Sequence, residues 1–586
     1  MTPYITRKNS KKNRNKNIKA VPSKEDVTAL KSLLYKSGSR GYASAVLDFP
    51  NVENTLPLLP ATDIYFAIQE IGLKDAIDIV AIASPEQFQA FFDLDIWIGD
   101  RIDLERGLTW LAVLCNLSTG PFHRIVKELD PELVGAFIAQ SSRIVDISLE
   151  DEPDEFIEGP WRSPDSFYAV FPLDEEKIEE YRVTCSFLDK LYSVNLTLGK
   201  RALMIARWEP LAELEETSYR WASGRLQDLG FADYYEALQL YAPLNLSKLS
   251  IEEGQPDPPP VGHEDAPSLA VQKIMNPETP AADFFGACMD PIKDPKEKVR
   301  LGHGLARVAN RLLAADLVES PDLAKAQEYA QMTRRYISLG LEYVCKGDPK
   351  LGPNAFGNLT MMRLFRVGYT LTHNLSKLVN TLRQQGRLSL APHGTTLLDC
   401  PWDELAVALS QRKPELSRKF DSPPDEGTRS FANSTDIRHA ASLVEDLAMQ
   451  WPLLFDTMGI SPALLTQEGL TDTSPNDPAS VTLGDIFRTA FINYLCGLGL
   501  KAVPLSKGSL EQALDKLQDL DSTDGKSSKL INTAIEAITE TAKANRRPLP
   551  PRLHRILEHW IDPLRNKPDK PMTMEGLTEL VLTKRS

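Results

Sequence analysis

Apolar residues return at every third or fourth position along most of this chain, and that spacing suits helices and little else. Ala61, Ile64, Tyr65, Ile68 and Ile71 fall on one helical face; Leu73, Ala76, Ile77 and Val80 fall on another. Gly72 stands between them, a residue suited to end the first helix in a left-handed conformation. Helix starts are equally legible. Ser84-Pro85-Glu86-Gln87 offers a hydroxyl cap, a proline in the first turn where its missing N–H costs nothing, and a glutamine at the capping-box position. Asp130-Pro131-Glu132, Asp294-Pro295-Lys296-Glu297, Ser320-Pro321-Asp322 and Ser461-Pro462 resemble it. Stretches rich in Val, Ile, Thr and aromatics with a period of two are hard to find. The expectation is an all-α fold of short stacked helical hairpins, a helical repeat, with a second helical domain.

A proline-rich stretch interrupts the pattern. Pro256, Pro258, Pro259, Pro260, Pro267, Pro277 and Pro280 follow one another closely, and no helix should run through their densest part. Residues 250–282 are therefore expected to be a linker. The organisation expected is a disordered basic arm over 1–24, an N-terminal helical-repeat domain over 25–249, the linker, and a middle helical domain over 283–420. A loop over 421–435, a C-terminal helical region over 436–567 and a tail over 568–586 complete it.

Two segments of the N-terminal region match without a gap. Ile68–Pro85 reads IQEIGLKDAIDIVAIASP and Leu226–Pro243 reads LQDLGFADYYEALQLYAP. Gln69, Gly72, Asp75 and Pro85 meet Gln227, Gly230, Asp233 and Pro243. Each copy is a helix end, a glycine turn, a second helix and a proline. One such hairpin cannot bury its apolar face alone, so copies stack. The alternative source of the match is convergent use of the same turn chemistry.

The stretch LPATDIYFAIQEIGLKDAIDIVAIASPEQFQAFFDLDIW, WIGDR after it, and the later YRWASGRLQDLGFADYYEALQLYAP resemble an uncharacterised bacterial family known only as a domain of unknown function. A weaker similarity extends through LFRVGY at Leu364–Tyr369. The first stretch is also similar in style to the helical N-terminal domain of magnesium transporters of the MgtE type, a superhelix of short helices. Neither resemblance supplies a catalytic residue, and the transporters' membrane part has no counterpart here.

Charge divides the chain. Its 586 residues carry a net −15, yet residues 1–19 hold seven Lys and Arg and no acid. Removing those seven positive charges from −15 leaves −22 on the remainder. Such a body repels phosphate, so nucleic acid is expected only as a weak, salt-sensitive partner of residues 1–24. No aromatic residue interleaves with Arg7–Lys19, so base stacking is unsupported. No apolar stretch follows the basic segment as a secretory signal requires, and no run is long enough to span a bilayer. The six cysteines are scattered, without a C-x-x-C pair, as expected of small buried hydrophobes in a reducing cytoplasm.

No phosphate-binding glycine loop, His-Glu-x-x-His or Gly-x-Ser-x-Gly occurs, so no catalytic residue, metal ligand or cofactor is assigned, and the reading leans away from an enzyme. Two polar groupings remain. Arg300, His303, Arg307 and Arg311 share one helical face and could hold an anion; the plain alternative is a solvated face pairing with acidic neighbours. Asp95, Trp97, Asp100 and Arg101 sit at the exit of the first copy, with Asp103 as a cap for the next helix. Arg220, Trp221 and Arg225 sit at the entry to the second. Charge around a tryptophan is the mix that anchors protein interfaces. The expected function is a cytoplasmic scaffold or regulator that binds a protein partner. The alternatives are an enzyme of unfamiliar type with an anion pocket, and nucleic-acid association through the arm.

Overall fold

The computed structural model describes residues 22–34, 42–151, 158–249, 255–258, 283–318, 322–390, 394–466, 468–471, 473–475, 477–521, 527–549, 552–565 and 572–585. Most of the basic arm and of the proline-rich stretch thus lie outside the described residues. The fold is all-α, with a few short strands.

Local capping chemistry sets the helix starts. Ser84 and Gln87 exchange both capping-box hydrogen bonds at the head of the Pro85–Asp95 helix. Asp103 accepts from the Arg106 N–H at 3.2 Å, and Asp294 from the Lys296 N–H at 3.0 Å. Ser320-Pro321 lies outside the described residues; Asp322 caps the helix that follows. Asp130 differs. It precedes the Pro131–Ser141 helix, but its side chain makes no cap hydrogen bond. The Tyr168–Pro172 strand is the main exception to helix. It is buried at every position and pairs antiparallel with Ser142–Asp146 and Trp161–Arg162. A run buried on both faces is apolar throughout and carries no alternation for a reader to detect.

Buried side chains gather into three main cores. The first runs from Leu30 to Leu214 and takes in Leu323 and Ala326. The second joins Leu240 of the second repeat copy to the helices Pro295–Ala315, Leu323–Val344 and the first half of Met361–Gln384. The third takes Leu339, the second half of Met361–Gln384 and most apolar residues onward to Leu582. The middle and C-terminal cores therefore share two helices.

Glycine explains how those two helices meet. A Cβ at Gly340 would lie 2.0 Å from the Leu364 carbonyl oxygen, and one at Gly368 would lie 1.9 Å from that of Tyr336. Backbone meets backbone at this crossing, and Gly368 belongs to the LFRVGY segment. At the chain's end, residues 572–585 are not a loose tail. Val581 and Leu582 are buried, Thr583–Lys584 pairs with Thr473–Ser474, and the buried Arg488 guanidinium donates to the Leu580 carbonyl at 2.9 Å. Asp399 and Asp485 hold the same guanidinium at 2.8 and 2.7 Å.

Candidate functional site

A cavity of about 170 Å³ opens where the exit of the first repeat copy meets the second. Four pieces of chain build it. The Trp97–Ile98 strand, turned back by Gly99, supplies one wall. Tyr219, Ser223 and Leu226, spaced four and three residues apart on the Leu211–Asp228 helix, supply the second. Phe231 to Tyr234, the turn of the second copy, supplies the third. Leu313, Ala314, Leu317 and Val318, at the end of the Pro295–Ala315 helix, supply the fourth.

Specific contacts hold these walls in register. The Trp97 and Tyr219 rings meet edge to face with centroids 5.2 Å apart. The Tyr219 hydroxyl donates to Asp233, whose other oxygen caps the short Tyr234–Ala237 helix through the Tyr235 N–H at 2.9 Å. Burial, then the Asp233 carboxylate, holds the Tyr219 phenol above its ordinary range, so it stays a donor. Asn310 donates to the Leu229 carbonyl at 3.3 Å and Arg311 pairs with Glu236 at 2.6 Å, which ties the second copy to the long helix.

That helix ends in an unusual way. The Val318 N–H reaches the Leu313 carbonyl and the Leu317 N–H that of Ala314, the two bonds of a Schellman cap. The left-handed position, normally glycine, is Leu317 with φ of 51°. A bulky residue is strained there, and such strain persists only where the surroundings enforce it. The side chain is half exposed at the cavity rim, as is Ile98 across from it.

Behind the cavity lies a buried ionic cluster. Arg225 holds the fully buried Asp93 through two bonds of 2.6 and 3.0 Å, and Gln89 donates to Asp93 at 3.0 Å. Burial raises the Asp93 carboxyl, and Arg225 and Gln89 draw it back. Asp130 lies 3.7 Å from the same guanidinium. Burial, with Glu132 and Asp93 adding to it, pushes its carboxyl up to about 7. A proton shared from Asp130 lowers Glu132 in turn. This is why Asp130 is not a cap: it faces the cluster.

The residues expected to bind a partner separate into three kinds. Trp97 lines the cavity. Asp95 and Arg225 are structural: Asp95 is buried and accepts from Tyr65 at 3.0 Å and the Trp110 indole at 2.6 Å, and Arg225 neutralises Asp93. Asp100 and Arg101 are exposed on the hairpin, and Arg220 and Trp221 are exposed on the helix, Arg220 pairing with Glu216 at 3.1 Å. Trp221 stands two residues from Tyr219, which turns it away from the cavity. Tyr219, Phe231 and Leu317 were not singled out in the sequence. Only the spacing of Tyr219, Ser223 and Leu226 carried a signal for them.

The arginine stripe is occupied by the chain itself. Arg300 holds Glu297 at 2.8 Å and donates to the Phe356 and Asp257 carbonyls, each at 3.0 Å. Arg307 donates to the Pro258 carbonyl at 3.0 Å, and Arg311 is the partner of Glu236. His303 is half-buried on the same helix. Asp257 in turn accepts from the Met361 N–H at 2.8 Å, so the described part of the proline-rich stretch lies across these arginines. Among the described residues, no group of three His, Cys, Asp or Glu side chains is placed to hold a metal ion, and no helix is long and apolar enough to cross a membrane. All six cysteines are free.

These features define the class: an all-α protein with a small, largely apolar cavity between the Trp97–Ile98 hairpin, the Leu211–Asp228 helix with the turn after it, and the end of the Pro295–Ala315 helix. The chain belongs to a family of unknown function, DUF6178, whose family model matches residues 22–577. No curated protein and no solved structure matches the chain.

Proposed function

We propose that the protein is a non-catalytic binding protein, a scaffold or regulator, that receives an apolar group of a protein partner in the cavity between the Trp97–Ile98 hairpin, the Phe231–Tyr234 turn and the end of the Pro295–Ala315 helix. The observation that carries this reading is the rim. Leu317 is kept in a backbone conformation that favours glycine, and its side chain stands exposed opposite Ile98. Exposed apolar residues around a concave apolar floor match the anatomy of a recognition pocket. The arginine stripe supports no comparable reading, because its guanidiniums are engaged by Glu297, Glu236 and backbone carbonyls.

Site-specific photo-crosslinking in host cells tests the proposal. A crosslinking residue at Ile98 should capture a discrete partner, and one at Trp221, on the other side of the helix, should not. Ser223→Phe, which fills the cavity from a helix position without a large core role, should abolish capture at Ile98. Capture that is undiminished by Ser223→Phe, or that occurs only at Trp221, overturns it.

A further inference from the structure

We infer that the head of the Met361–Gln384 helix is a carboxylate-binding site, and that its ligand is Asp257 of the chain's own proline-rich stretch. The stretch is then a latched strap rather than a free linker. This inference is independent of the cavity and of any partner it receives.

The helix head supplies the first donor. The opening N–H groups of a helix have no acceptor within it. Met361 is the first residue of this 24-residue helix and is fully buried, so its N–H needs an acceptor from elsewhere in the chain. The Asp257 carboxylate is that acceptor, at 2.8 Å. The local cap, Thr360, serves a different donor, the Arg363 N–H at 3.1 Å. The positive end of a long helix also favours a carboxylate electrostatically.

Shape is the second argument. Gly304, on the Pro295–Ala315 helix, lies beneath the carboxylate. A Cβ there would stand 2.8 Å from a carboxylate oxygen of Asp257 and 3.0 Å from its carbon. Glycine inside a helix costs stability relative to alanine. Here the missing side chain leaves the space that the carboxylate fills.

Charge is the third. Arg300 and Arg307 stand one turn to either side of Gly304 on the same helix. They donate to the Asp257 and Pro258 carbonyls, each at 3.0 Å. Burial raises the Asp257 carboxyl, and the Met361 N–H, Arg307 and Arg300 draw it back. The site thus presents donors, and the strap answers with acceptors: one carboxylate and two carbonyls. Pro256 and Pro258 have no N–H to set against those donors.

The hold is polar. Gln255, Pro256 and Pro258 are exposed, so among the described residues of the strap only Asp257 reaches inward. Removing that one side chain should release the strap and empty the site.

The experiment uses the full chain labelled with 15N-methionine, followed by amide NMR. The Met361 resonance is assigned by its loss in Met361→Leu. In Asp257→Ala the Met361 amide should shift and exchange about tenfold faster, the scale of one hydrogen bond to a charged group. Acetate, the probe for the missing side chain, should return both towards the parent values, and chloride at the same ionic strength should not. The parent chain and Asp257→Asn should not respond to acetate, because their side chains still fill the space over Gly304. A nitroxide on Gln255→Cys reads the strap itself, after subtraction of the signal from the chain lacking that substitution. It should become more mobile in Asp257→Ala and stay so in acetate, which fills the site without a tether. An unchanged Met361 amide in Asp257→Ala, no recovery with acetate, or equal recovery with chloride overturns the carboxylate site. An acetate response in Asp257→Asn overturns it as well. A nitroxide equally immobile in the parent and in Asp257→Ala overturns the latch.

Discussion

The two segments that match in sequence both turn at a glycine and differ in what they face. Gly72 and Gly230 both end a helix with positive φ, 91° and 86°, and a short helix follows each. The first copy and the helix that leads into it turn into their own core: Ile64, Tyr65, Phe66 and Ile68 are buried, and Tyr65 and Gln69 both reach Asp95. The second copy turns towards a different helix, Pro295–Ala315, and leaves a gap against it. A Cβ at Gly72 would meet nothing within 4 Å, whereas one at Gly230 would lie 2.9 Å from the Arg307 side chain. One turn chemistry thus builds a filled core in one place and a cavity wall in the other. The environment, rather than the turn, decides which.

The largest effect separates the copies by packing. Phe66→Ala, in the helix that leads into the first copy, should cost about 3–5 kcal/mol, the usual loss for a fully buried aromatic. Phe231→Ala, which borders an existing opening, should cost no more than about half of that. Chemical denaturation of both variants checks the ratio, and equal losses would erase the distinction. The glycines come next. Gly72→Ala should lose about 1 kcal/mol for its positive φ alone. Gly230→Ala should lose more, because Arg307 must also move, and the same denaturation curves will rank them.

Asp130 gives a pH-dependent contrast. Its proton is held up to about 7 in the fold, against about 4 for an unfolded aspartate. A group that binds its proton more tightly in the native state contributes most below the unfolded value, and that contribution is lost as pH rises through the folded one. Asp130→Asn should therefore lose less stability than the parent chain between pH 5 and pH 8, as read by melting temperature across buffers. The smallest effect is the most diagnostic of function. Leu317→Gly should leave stability unchanged or raise it by up to about 1 kcal/mol, because glycine suits that backbone position. It should nevertheless weaken partner capture at Ile98. A loss of stability with capture intact would show that Leu317 serves only the fold.

Much of the fold was legible because its signals are local. Ser84, Asp103 and Asp294 cap where their sequence context says they should, and Gly72 and Gly230 turn where the repeat places them. Asp130 carried the same signal and departs from it because its carboxyl shares a proton with Glu132 and lies 3.7 Å from the guanidinium of Arg225, far away in sequence. The Tyr168–Pro172 strand was hidden by burial on both faces. Of the site, Trp97 was visible as an aromatic among charges. Leu317 was not, since a Schellman cap is recognised by the glycine it normally contains. Nor does any spacing within one helix reveal that the end of Pro295–Ala315 stands across from Ile98.

Amide hydrogen exchange of the full chain, alone and with its crosslinked partner, tests the central claim most directly. The account predicts slowed exchange at residues 231–234 and 313–318, around the cavity, and none at 72–76 in the first copy. Slowing confined to the first copy, or to the outer face around Trp221, would contradict it.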